Sequence, residues 1–215
     1  MLSALSTVFN QAWAYSAIKE DKSVDRDSFS NMMFHRITSI QLIITCGLIA
    51  TIKPILSIYV SKPFFVAWRY TPYLLVGFFF MSLGTFLSTS YLVNKDSKGF
   101  LVSGCIGAGI NIVLNWLLIP QIGVPGAAIA TCFSYFSVFL YRAYDTKKYI
   151  AIKFNNLNNV LATAMLLIMS VTLLVIDHNE MVYLSIEFIV VLVLLRKTIV
   201  DCITTAYKML KTKNR

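Results

Sequence analysis

NIVLNWLLIPQIGVPGAAIATCFSYF, residues 111–136, decides the fold class. It is an apolar run, a Pro/Gly break at Pro120, Gly123, Pro125 and Gly126, and a second apolar run. That is the pattern of a helical hairpin, because proline and glycine end helices and build turns. Each arm, extended back to residue 99 and on to residue 143, is about 20 residues long, enough to cross a hydrocarbon core of roughly 30 Å. The arms are continuously apolar rather than alternating, so they read as helices and not as barrel strands.

The rest of the chain repeats the pattern. Of 215 residues, 57% are hydrophobic and 13% charged, against about 25% charged in soluble domains. Seven apolar segments follow, at about 2–18, 35–52, 71–93, 99–119, 125–143, 159–176 and 181–200. The expected fold is therefore an all-α, polytopic membrane helix bundle of about seven transmembrane helices. Residues 1–18 have no basic flank and no small-residue cleavage site, so the first segment reads as a span and not as a signal peptide.

Charge orders these spans. Lys19, Lys22, Arg26, Arg36, Lys95, Lys98, Arg142, Lys147, Lys148, Lys153, Arg196, Lys197, Lys208, Lys211, Lys213 and Arg215 fall on one side. Only Lys53, Lys62 and Arg69 fall on the other. The positive-inside rule makes the richer side cytoplasmic. The net charge of +9 is then topology and contact with anionic lipid, not nucleic-acid binding. Tyr59, Trp68, Tyr70 and Tyr73 mark the opposite loop as a segment lying along the interface. This places the N-terminus outside, the pattern of a larger protein entered partway.

Polar side chains at membrane depth face a bundle or a wet cavity. Gly104, Ala108, Asn111 and Asn115 are spaced 4, 3 and 4 and share one helix face. Ala127, Ala130, Thr131 and Ser134 form a second small face. Packing of these two faces is the expected arrangement, with a cavity lined by Asn111 and Asn115 as its rival. Ser3, Ser6 or Thr7, Asn10, Trp13 or Ala14, and Ala17 form a further stripe. Asn10 with Gln11 is too polar to face lipid, and Trp13 suits stacking on a sugar ring, with helix packing the expected alternative. Lys53, closing its span with Pro54, and Arg142 could each hold a phosphate. Snorkelling for Lys53 and inner-end anchoring for Arg142 are the expected alternatives. Glu187 is a carboxylate inside an apolar run, with snorkelling an equal alternative. His35, His178 and the four cysteines are isolated, so no metal site or cofactor is expected. No nucleophile–base pair, carboxylate pair or phosphate loop points to an enzyme.

Four stretches together resemble bacterial polysaccharide (O-antigen or capsule repeat-unit) flippases of the multidrug/oligosaccharidyl-lipid/polysaccharide exporter superfamily. They are FNQAWAYSAIKED (9–21), IKPILSIYVSKPFFVAWRYTPYLLVG (52–77), GAGINIVLNWLLIPQIGVPGAAIAT (107–131) and YRAYDTKKYI (141–150). The resemblance implies that residues 1–155 correspond to the C-terminal lobe of a two-lobed flippase. Residues 156–215 add two further helices and a basic tail. It also implies the substrate, undecaprenyl-diphosphate-linked oligosaccharide units moved across the bacterial inner membrane, and a partner in an N-terminal lobe. Trp13, Lys53, Pro54, Trp68, Arg69, Pro72, Asn111, Asn115, Pro120, Gly123, Gly126, Ala127, Ala128, Thr131, Tyr141, Arg142 and Asp145 match recurrent family positions. A small-molecule exporter of the same superfamily and a non-transporting membrane fragment are the alternatives.

Overall fold

The computed structural model describes residues 26–176, 178–202 and 204. The expected first span, with Asn10, Gln11 and Trp13, and the basic residues beyond 204 lie outside the described residues. The described chain is helical, with no strand, and forms two compact units. Five of its helices are long and apolar enough to cross a membrane. The protein is an all-α membrane protein.

Helix α1, Arg26–Tyr59, contributes to both units. It is longer than the expected span 35–52 at each end. Its start takes in much of the polar linker, because those side chains find partners. Asp27 sits in the first turn, where a negative charge complements the helix dipole. Asn31 Nδ2 donates to Ala151 O at 2.8 Å, and Lys153 N donates to Asn31 Oδ1 at 2.6 Å. Nor does Pro54 end the helix, which runs on to Tyr59. A proline forfeits only its own N–H bond and the carbonyl it would have met, and such a loss is tolerated in membrane helices.

The first unit combines Arg26–Phe34 and Thr51–Tyr59 of α1 with everything up to Phe154. A 3-10 helix, Lys62–Arg69, leads into α2, Thr71–Val93, with Pro72 in its first turn. Helix α3 is Ser97–Ile122 and α4 is Val124–Asp145. Helix α4 packs along both α2 and α3. Its contact with α2 is largely aromatic: Phe80 meets Phe136 at 4.7 Å and Phe139 at 5.6 Å between ring centroids.

One residue, Gly123, joins α3 to α4. Its φ of +66° is open to glycine at little cost. Two turns are then brought so close that a Cβ on Gly126 would lie 2.7 Å from the carbonyl carbon and oxygen of Leu118. The Pro/Gly break is thus a steric requirement of the hairpin.

At the far end of the hairpin, Asp96 caps α3, accepting from Gly99 N at 2.8 Å. It also accepts from Tyr149 Oη at 2.8 Å and faces Lys148 Nζ at 3.3 Å. Lys148 reaches Asp145 Oδ1 at 3.1 Å, and Tyr91 Oη donates to Asp145 Oδ2 at 2.8 Å. Arg26 donates to the Tyr149 carbonyl. The bonds to Asp96, led by the Gly99 N–H, hold its carboxyl below the usual range.

The second unit combines His35–Ala50 of α1 with residues from Asn155 onward. It contains α5, Leu157–Val175, and α6, Glu180–Leu194. Ser39 Oγ donates to Asn159 Oδ1 at 2.7 Å, and Asn159 Nδ2 donates to His35 O at 3.1 Å. The expected last span, 181–200, is not one helix. Helix α6 has 15 residues, about 22 Å at 1.5 Å per residue. A turn at Leu195 separates it from helical residues 196–202.

Candidate functional site

The hairpin's two faces meet differently from the expected arrangement. The row of α3 that packs on α4 runs through Ser103 and Gly107, both buried and four apart, while Gly99, one turn back and also buried, packs against Tyr91 of α2. Ser134 Oγ on α4 donates to Gly107 O at 2.7 Å, and a Cβ on Gly107 would collide with the Val138 side chain. The Gly104, Ala108, Asn111 and Asn115 row does not pack there. A Cβ on Gly104 would meet nothing within 4 Å, and Gly104, Ala108 and Asn111 line a cavity instead. The two rows lie only a fraction of a turn apart, so spacing alone could not choose between them.

The cavity has a volume of about 490 Å³ and is half open. Helix α2 supplies Met81, Thr85 and Ser88. Helix α4 supplies Thr131, Ser134, Tyr135, Val138 and Arg142. Phe100 on α3 closes the end nearest Asp96. The walls are apolar helix surface carrying a few hydroxyls, one amide and one guanidinium. That mixture is typical of ligand pockets, where a small number of polar groups orient a mostly apolar guest.

Arg142, for which holding a phosphate and anchoring at the inner end are the two expected roles, is buried, with only 8% of its surface exposed. Its Nε donates to Ser103 Oγ at 3.0 Å and its Nη1 to Gly84 O at 2.9 Å. The guanidinium carbon lies 5.2 Å from the centre of the Phe100 ring. One cation thus ties α2, α3 and α4 together. Both hydrogen-bond partners are neutral, and among the described residues no carboxylate pairs with the guanidinium. A guanidinium has five N–H donors, so these two bonds leave capacity for a ligand.

Asn115 Nδ2 donates to Asn111 Oδ1 at 2.9 Å, one turn back on the same helix. Asn115 Oδ1 is buried without a partner. The amide pair therefore stays on α3 and does not bond across helices.

Of the sequence candidates, the structure brings Asn111 and Arg142 to one cavity; Asn115 is bonded to Asn111 but does not line it. Lys53 lies elsewhere in the first unit, with its Nζ 3.9 Å above the Trp68 ring. Glu187 lies in the second unit and is not drawn out to an interface. Its Oε1 accepts from Thr172 Oγ1 at 2.8 Å, and its Oε2 is buried without a partner. Sequence reasoning passed over Ser103 and Phe100, and took Ser134 only as part of a small face. The i, i+4, i+8 spacing of Gly99, Ser103 and Gly107 was the available signal. Among the described residues no group of His, Cys, Asp and Glu is placed to hold a metal ion.

No protein-family model and no solved structure matches the chain. A stretch of 51 residues is 41% identical to an uncharacterized membrane protein, MJ1068, of Methanocaldococcus jannaschii. That stretch is 24% of this chain and 10% of the other protein, so the chain matches only a small part of its relative's length. The likeness agrees with a membrane protein.

Proposed function

We propose that the chain is the C-terminal part of a transporter that flips diphosphate-linked oligosaccharide lipids across a bacterial inner membrane, its basic ends facing the cytoplasm. The observation that carries this reading is Arg142: a buried guanidinium without a counter-charge among the described residues, on the wall of a half-open cavity that also presents Asn111. An isolated charge inside a membrane protein is costly and marks substrate or ion pathways. A phosphate group would supply the missing negative charge, and a guanidinium offers it a fork of donors. Amide and hydroxyl groups on the same wall suit sugar hydroxyls. Tyr135 and Phe100 suit the apolar faces of sugar rings. The polyprenyl tail would remain in lipid, so only the head group needs the polar wall. The resemblance in four stretches of sequence supplies the substrate class. A further lobe would complete the transport path.

The test is binding. The chain in lipid nanodiscs is titrated with a short-chain polyprenyl-diphosphate oligosaccharide, and bound adducts are counted by native mass spectrometry. One adduct is expected, weakened about tenfold or more in Arg142→Gln, since a charge-assisted bond contributes about 1.5–3 kcal/mol. Binding that is indifferent to Arg142→Gln would remove the reading. In cells, Asn111→Leu should lower surface glycan, and normal glycan would assign the amide to structure alone. The volume of about 490 Å³ also fits a drug-sized guest, so a small-molecule exporter is the second reading. Adducts with lipophilic small molecules, and none with the saccharide lipid, would favour it.

A further inference from the structure

The 3-10 helix Lys62–Arg69 has no buried residue. In a 3-10 helix side chains three apart eclipse one another. Pro63, Val66 and Arg69 therefore form one row, and all three are exposed. Phe65 and Trp68 form another, half-buried against the unit. Phe64 projects beside the exposed row with 67% of its surface free, and Val66 has 42% free. Lys62 begins the helix and is also exposed. By the same spacing Lys62 stands at the head of the row of Phe65 and Trp68. The outward row thus carries one cation, Arg69, with Val66 in it and Phe64 beside it, while Lys62 is a second exposed cation a third of a turn round at the helix start.

The charge here differs from that at the other end of α2. There, Lys148 and Arg26 are engaged with Asp96, Asp145 and a carbonyl. Here, Lys53, Lys62 and Arg69 lie in a stretch, residues 28–95, that contains no Asp or Glu at all. The Trp68 ring holds Lys53 at 3.9 Å and Arg69 at 5.5 Å, so the aromatic seat is itself cationic at both sides. Lys62 and Arg69 are about 14 Å apart along the axis at 2 Å per residue. At that separation each meets a phosphate of its own.

We propose that the outward side of Lys62–Arg69 docks on anionic phospholipid headgroups. Lys62 and Arg69 hold lipid phosphates, and Phe64 and Val66 enter the acyl boundary. Amphipathic segments with cations on the polar side and aromatic or aliphatic residues on the other lie in the interface in this way. Because the segment runs straight into α2 through Tyr70, docking fixes the depth of the helix that forms one wall of the cavity. The inference stands independently of what the cavity binds.

Trp68 reports on it directly. Of the three tryptophans, Trp13 and Trp116 are replaced by phenylalanine. The full chain is then placed in vesicles in which either phosphatidylglycerol or phosphatidylcholine carries bromine, a fluorescence quencher. Brominated phosphatidylglycerol should quench Trp68 more strongly at equal mole fraction. A cation near an anionic surface contributes about 1 kcal/mol, or roughly fivefold. Lys62→Gln and Arg69→Gln should therefore each lower the preference for phosphatidylglycerol about fivefold, and the double variant should remove it. Equal quenching by the two lipids before substitution, or a preference unchanged in the double variant, would overturn the proposal. So would relief of quenching by added inorganic pyrophosphate at constant ionic strength, which would assign the cations to a soluble phosphate ligand.

Discussion

Replacing Gly126 and Gly104 by alanine, one at a time, separates the packed face of the hairpin from its cavity face. A Cβ at position 126 would sit 2.7 Å from the Leu118 carbonyl carbon and oxygen and 3.0 Å from Ile119 N. These are backbone atoms of α3 and cannot rotate aside, so the turn must open. Overpacking of this kind costs about 1–3 kcal/mol. Alanine regains up to about 1 kcal/mol over glycine inside a helix, leaving Gly126→Ala destabilised by up to about 2 kcal/mol. At position 104 the new Cβ meets nothing within 4 Å, so only the gain remains. Because that gain is common to both, the two variants should differ by the overpacking cost, about 1–3 kcal/mol, a factor of roughly 5–150 in the unfolding constant. Unfolding in mixed micelles of dodecylmaltoside and sodium dodecyl sulfate, followed by circular dichroism, measures this. A Gly104→Ala variant as destabilised as Gly126→Ala would refute the reasoning, because the Gly104 row would then be a packing face.

Other outcomes follow from the same contacts. Ser134→Ala loses the bond to Gly107 O and should cost about 0.6 kcal/mol in the same assay, the mean for hydrogen bonds between membrane helices. Thr172→Val removes the donor to Glu187 Oε1 and leaves the carboxyl with neither oxygen paired. It should destabilise by about 1–3 kcal/mol, whereas Glu187→Leu together with Thr172→Val should recover part of that loss. Asp96 has a lowered pKa when folded, so its contribution is complete above the ordinary aspartate value of about 4 and fades as pH falls through the lower folded value. Unfolding midpoints measured against pH should therefore fall on the acid limb, and Asp96→Asn should flatten that limb while keeping the helix cap.

The apolar runs around Gly123 and Pro125 were legible as a helical hairpin because membrane solvent leaves few alternatives for a backbone. Their packing was not legible. Gly104 and Gly107 are both small residues on one helix, and only the position of Val138 and Ser134 on the neighbouring helix decides which of them is covered. The sequence left the role of Arg142 open for a related reason. It stands three residues before the end of α4, where an arginine ordinarily reaches the headgroups. The Ser103 hydroxyl and the Gly84 carbonyl, distant in sequence, turn it inward. The polar stretch before residue 35 hid a helix because its amide partners, Ala151 and Lys153, lie about 120 residues away.

The bonds of Arg142 also set an order of events during synthesis. Gly84 and Ser103 precede it by 58 and 39 residues, so both acceptors leave the ribosome before the guanidinium does. By the time α4 enters the bilayer, the groups that will shelter its charge are already there to receive it. Moving α4 ahead of α2 and α3 in the gene would send the arginine in without them.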